Sequence, residues 1–150
     1  MEKTCPGCLS AKRGGFRMRI ALGIEYDGCA FSGWQLQKHR VRTVQAELEG
    51  ALGRVAAHPV RVVCAGRTDT GVHATGQVVH FDTTADRSPR NWTLGCNANL
   101  PADVAVSWAR VVDDDFHARF SAQSRRYCYQ ILNRPTRSSL MANRATWIHK

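Results

Sequence analysis

The sequence reads as an α+β protein, a ferredoxin-like split β-α-β arrangement with an antiparallel sheet and its helices on one face. Alternating or β-branched runs at 18–27, 60–65, 77–83 and 104–112 are separated by two capped helical stretches, giving the order β-α-β-β-α-β. No apolar run approaches the ~20 residues of a membrane span. At 150 residues, 43% hydrophobic and 22% charged, the chain is long enough to bury one core of ordinary size.

The elements follow in order. "MRIALGIEYD" (18–27) puts Ile20, Leu22 and Ile24 on one strand face, and the Gly-rich "GCAFSGWQ" reads as a loop. Thr43 caps a helix through "VQAELEGALGRVAA", whose Val44, Leu48, Leu52 and Val55 form one apolar stripe. "VRVVCA" (60–65) is a buried strand and "QVVHFDT" (77–83) another. Ser88 followed by Pro89 starts a second helix that carries Trp92 and Cys96 and ends by Pro101. "VAVSWARVV" (104–112) is a strand, Asp113–Asp115 a solvated turn, and "RYCYQILN" (126–133) one further strand.

Residues 1–17 lack periodicity and are rich in Gly, Lys and Arg, so they read as an unstructured basic extension before Met18, either a flexible arm or a segment upstream of the natural start. No apolar stretch follows the basic N-terminus as a signal peptide would require, and a cytoplasmic location with no membrane partner is expected. Only Cys5 and Cys8 form a CxxC pair. Without a second pair or a matching histidine pair they do not make a zinc site, and Cys29, Cys64, Cys96 and Cys128 read as buried free thiols.

The net charge of +9 is uneven: seven Lys or Arg and no acid lie between Phe116 and Lys150. Such a surface suits a polyanion, since each phosphate contacted releases counterions. "GQVVHFDT" lacks the interleaved aromatics of a simple RNA-recognition module, which disfavours that class of reader.

The densest chemistry lies in "CAGRTDTGVHATGQVVHF" (64–81). Gly66 and Gly71 bracket Arg67 and Asp69, so the backbone can turn sharply and a ligand can come close. A neighbouring guanidinium keeps a carboxylate ionised and aimed, fit for a nucleophile or electrostatic stabiliser rather than a general acid. On Arg-x-Asp alone, a structural ion pair closing a hairpin is the simpler account. The small residues crowded around the charges favour a substrate approaching the backbone.

This stretch resembles the catalytic motif of the tRNA pseudouridine synthase A family. The likeness extends to "YDGCAFSGWQ", "NANLP" (97–101), "DDFHARFSA" (114–122) and "RRYCY" (125–129), in the family's order. The resemblance implies a pseudouridine synthase fold and isomerisation of uridine to pseudouridine on the 3′ side of the tRNA anticodon arm, with no metal or cofactor. By the same resemblance Asp69 is the nucleophile that assists C1′–N1 cleavage, and Arg67 pairs with it and helps displace the target nucleotide. Tyr127 lies against the uracil as the candidate base at C5. Arg87 and Phe116, His117, Ala118, Arg119 and Phe120 match tRNA-contact positions. His73 reads as a loop-packing residue and Tyr129 as a half-buried strand aromatic; Trp34 is either core or cleft-facing. The family forms homodimers and adds a second, similar half. Residues 18–150 are therefore read as the N-terminal catalytic domain, with the C-terminal half absent. A non-catalytic RNA-binding module and a thiol- or zinc-dependent regulator organised by Cys5 and Cys8 are the alternatives.

Overall fold

The computed structural model describes residues 17–39 and 41–149. Cys5, Cys8 and all of the expected basic extension but Arg17 lie outside them. The described residues form β1 (Met18–Tyr26), α1 (Val44–Ala56), β2 (Val63–Cys64), β3 (Ala74–Thr83), α2 (Pro89–Asn97), β4 (Val104–Val112), β5 (Ile131–Asn133) and β6 (Thr146–Ile148).

Four strands make an antiparallel sheet in the order β2-β3-β1-β4. β3 thus separates β1 from β2, the split β-α-β arrangement that the sequence predicts. The alternation of β1 decides which face is covered. Ile20, Leu22, Ile24 and Tyr26 share one core with Val79 and Phe81 of β3, Val104 and Val106 of β4, and the buried sides of both helices. The intervening Ala21 and Gly23 point to the other face. On β4 one extra residue, Ser107, separates the partners of Gly23 and Ile24, a bulge that re-aims Trp108 over Gly23.

Both helices start where the sequence places them. The Thr43 hydroxyl accepts from Ala46 N at 3.3 Å and the Ser88 hydroxyl from Asn91 N at 3.2 Å. α1 buries Val44, Leu48, Ala51, Leu52 and Ala56, whereas α2 buries Trp92 and Cys96. Trp92 meets Phe81 edge to face, with ring centroids 5.1 Å apart.

Three expectations are corrected. The buried strand expected at 60–65 is reduced to Val63–Cys64, neither of them buried, while Val60 and Val62 ahead of it reach the core. Of 126–133 only Ile131–Asn133 is a strand, and it pairs in parallel with β6 outside the main sheet. The reason is the lack of a partner: residues 126–130 are all exposed, so neither face of their alternation is buried. Tyr129 is accordingly exposed, its hydroxyl 2.7 Å from Thr146 Oγ1. Of the four cysteines read as buried, only Cys96 is; Cys64 is half-buried and Cys29 and Cys128 are exposed. Burial pushes the Cys96 thiol up to about 12, so it stays protonated and inert.

The face away from the helices carries a charged and an imidazole anchor. The Asp82 carboxylate accepts from Arg19 Nε and Nη2 at 2.7 and 3.0 Å and from Arg17, and these guanidiniums hold it down at about 2. His80, alongside, is buried; Ala118 N donates to its Nδ1 at 3.1 Å. Burial first, then the charges of Arg19 and His117, keep its pKa below the ordinary value.

Both groups bind fewer protons when folded than when unfolded, so both weaken the fold as pH falls. His80 acts below about pH 6.5 and Asp82 from about pH 4 towards 2. Asp82→Asn is expected to lower stability at pH 7 by about 2 kcal/mol and to flatten the acid limb below pH 4. Urea midpoints across pH 2–8 measure this; an unchanged acid limb in the variant would assign it to other carboxylates.

Candidate active site

The 65–73 loop joins β2 to β3 at one end of the sheet. It is held from below by the loop after β1, largely through main-chain groups. Trp34 N donates to Thr68 O at 2.9 Å, and Gly71 N donates to Phe31 O at 3.4 Å. Gly33 makes the first contact possible: its φ is 88°, and a Cβ there would stand 2.9 Å from Thr68 O. Gly28 is tighter, for a Cβ would sit 2.1 Å from Val72 O. Side chains add three braces. Tyr26 Oη is 2.8 Å from Thr68 Oγ1, and burial pushes this phenol's pKa up. The Gln77 amide bonds both the N–H and the carbonyl of Gly66. Trp34, only 2% exposed, lies under the loop as core, which settles its reading.

On this base Arg67, Asp69 and Thr70 are exposed. Among the described residues no ion pair within 4 Å joins Arg67 to Asp69, and no donor reaches the Asp69 carboxylate. The structural ion pair that the spacing allowed is therefore not formed, and both groups are open to a ligand.

Tyr127 does reach the loop. Its hydroxyl is 3.6 Å from the place a Cβ on Gly66 would take, although the side chain is 72% exposed. Phe116–Phe120 packs across the sheet face at His80, with Arg19 Nη1 donating to Phe116 O at 2.9 Å. Phe120 is exposed and its ring stacks on His117 at 4.3 Å. Burial pushes the Cys64 thiol up, while the charges of Arg67, Arg119 and Arg125 act in the other direction. Arg125 reaches the root of the loop, its Nε donating to Ala65 O at 2.9 Å. Arg87 lies elsewhere: it follows Thr83, roughly 30 Å of strand away from Ala74, and among the described residues it donates to its neighbour's carbonyl, Asp86 O.

His73 packs as expected. Gly28 N donates to its Nδ1 at 3.2 Å, and its Nε2 lies 2.6 Å from Asn143 O. Asp27 Oδ1 also lies 3.2 Å from Nδ1. Asp27, Cys29 and His73 lie within 4.8 Å of one another, yet both ring nitrogens are already used, so the group does not read as a metal centre.

Two hollows on the described surface, of about 480 and 420 Å³, are lined by residues of 36–47 and 132–147. Neither includes the loop, of which residues 67 and 69–72 are exposed.

The family model of the tRNA pseudouridine synthases matches residues 23–121, which contain the whole braced loop. The chain belongs to that family. It is 65% identical over 125 residues to the tRNA pseudouridine synthase A of Tolumonas auensis, covering 83% of this chain and 48% of that protein. The synthase of Alcanivorax borkumensis is 61% identical over 132 residues, 88% of this chain and 49% of the other, and that of Pseudomonas aeruginosa 58% over 88% and 46%. The chain thus spans about half the length of these synthases. Within the described residues no helix is long and apolar enough to cross a membrane.

Tyr26, Gln77 and Arg125 support the loop, and all three fall within the quoted motifs, but the motifs do not say what each side chain touches. Tyr26 continues the alternation of Ile20, Leu22 and Ile24, a signal that places it on the core face.

Proposed function

We propose that this chain supplies the catalytic loop for isomerising uridine to pseudouridine in the anticodon arm of tRNA, with Asp69 as nucleophile. What supports the reading most is the exposed Asp69, unpaired among the described residues, on a loop braced by main-chain bonds, in a chain so similar to synthases of tRNA. A fixed carboxylate favours the positive charge that develops on the sugar as C1′–N1 breaks. The freed uracil turns, C5 bonds to C1′, the C5 proton leaves and N1 ends protonated, so the reaction balances without a redox partner. Tyr127 lies against the uracil and takes the C5 proton. Arg67 pairs with the aspartate when substrate is present and helps to hold the nucleotide out of its stack. Arg119 and the His117–Phe120 stack meet the RNA, and the remaining wall comes from the second half of a complete, homodimeric synthase in the cytoplasm. Arg87, away from the loop, meets a more distant stretch of tRNA backbone.

The test is tritium release from tRNA carrying [5-³H]uridine, run beside a binding assay. Release in step with pseudouridine formation is expected. Binding without release would favour the second reading, a non-catalytic RNA-binding unit, for which the exposure of Asp69 and Tyr127 speaks.

A further inference from the structure

The segment that carries Tyr127 has little to hold it. Residues 123–130 are all exposed, and 122–130 belong to no helix or strand. Among the described residues, the hydrogen bonds made by 122–128 are the two of a single side chain. Arg125 Nε donates to Ala65 O at 2.9 Å, at the start of the 65–73 loop, and its Nη2 donates to Arg119 O at 3.0 Å, in the Phe116–Phe120 segment. The same side chain lies on Gly66: a Cβ there would meet Arg125 Cδ and Nε at 3.4 Å and the Tyr127 hydroxyl at 3.6 Å.

We propose that Arg125 is a positioning residue: its guanidinium fork seats the Tyr127 segment and the Phe116–Phe120 turn against the root of the 65–73 loop. A planar fork with donors at fixed angles can bind two carbonyls from different segments at once; the ammonium of lysine is a point charge on a flexible stem and holds them less firmly. Without the fork, Tyr127 has no hydrogen-bonded link to the loop within two residues on either side. Arg126, next in sequence and equally charged, makes none of these contacts and is the natural control. The task given to Tyr127 rests on the proposed function, but the tether itself does not.

Chymotrypsin cleavage after Tyr127, followed by mass spectrometry on the whole 150-residue chain, reads the tether without need of catalysis. Arg125→Met is expected to be cut about tenfold faster than wild type at an unchanged thermal midpoint, since losing the hydrogen bonds raises the open population. Arg125→Lys should fall between the two, and Arg126→Met should match wild type. Equal rates in Arg125→Met and wild type, or equal acceleration in Arg125→Met and Arg126→Met, would overturn the proposal. In tritium release, Arg125→Met should lose about tenfold in kcat with KM little changed. Added guanidinium ion should restore part of the loss. A wild-type chain that releases no tritium would count against the proposed function, and the cleavage rates would still decide the tether.

Discussion

Asp69→Ala is expected to abolish tritium release from [5-³H]uridine tRNA, a loss on the order of 10⁴-fold or more, while tRNA binding and thermal stability stay near wild type. The two halves of this expectation have separate grounds. On the proposed role, removing the nucleophile removes the intermediate it forms, and general electrostatics do not replace it. Yet the side chain is exposed, with no bond to any described residue, so the fold loses nothing by its removal. Turnover, filter binding and a melting curve on one preparation check it. A variant that keeps a tenth of wild-type release would remove Asp69 from the centre of the reaction.

Gly28→Ala carries the largest expected change in stability, about 3 kcal/mol, or a melting midpoint lower by roughly 10 °C. The added methyl would meet Val72 O at 2.1 Å, Val72 C at 2.5 Å and Gly71 C at 2.9 Å. These are backbone atoms, and relieving the overlap moves the 65–73 loop away from the turn that supports it. Turnover should fall with stability. Gly23→Ala is the instructive comparison. Its methyl would meet Trp108 at 2.0 Å, but that ring is 38% exposed and can swing aside, so a loss of about 1 kcal/mol is expected. Similar losses for the two variants would mean that the two loops yield as readily as one surface ring.

Sequence pattern carried the architecture because its signals are local. The alternation from Ile20 to Tyr26, the Thr43 cap and the Ser88–Pro89 start each lie within a few residues, and each appears in the structure where it was expected. The strand expected at 126–133 failed because a strand needs a partner, and local β propensity does not report one. The site divides the same way. Its loop was visible as a motif, and resemblance named Asp69, Arg67 and Tyr127. The braces were not visible, for Tyr26 reaches Thr68 across 42 positions and Arg125 reaches Ala65 across 60. Nor could spacing decide whether Arg67 and Asp69 pair, since two residues apart in a loop fixes neither direction nor distance.

The main-chain bonds beneath the loop, Trp34 to Thr68 and Gly71 to Phe31, separate what is built from what is displayed. In a library of all single substitutions sorted only for abundance, positions 67, 69 and 70 should accept almost any residue, whereas 28, 33 and 71, the last with a φ of 78°, should accept few. Sorted for turnover, position 69 becomes the strictest of them. The loop thus behaves as a socket that evolution can refill without rebuilding the frame around it.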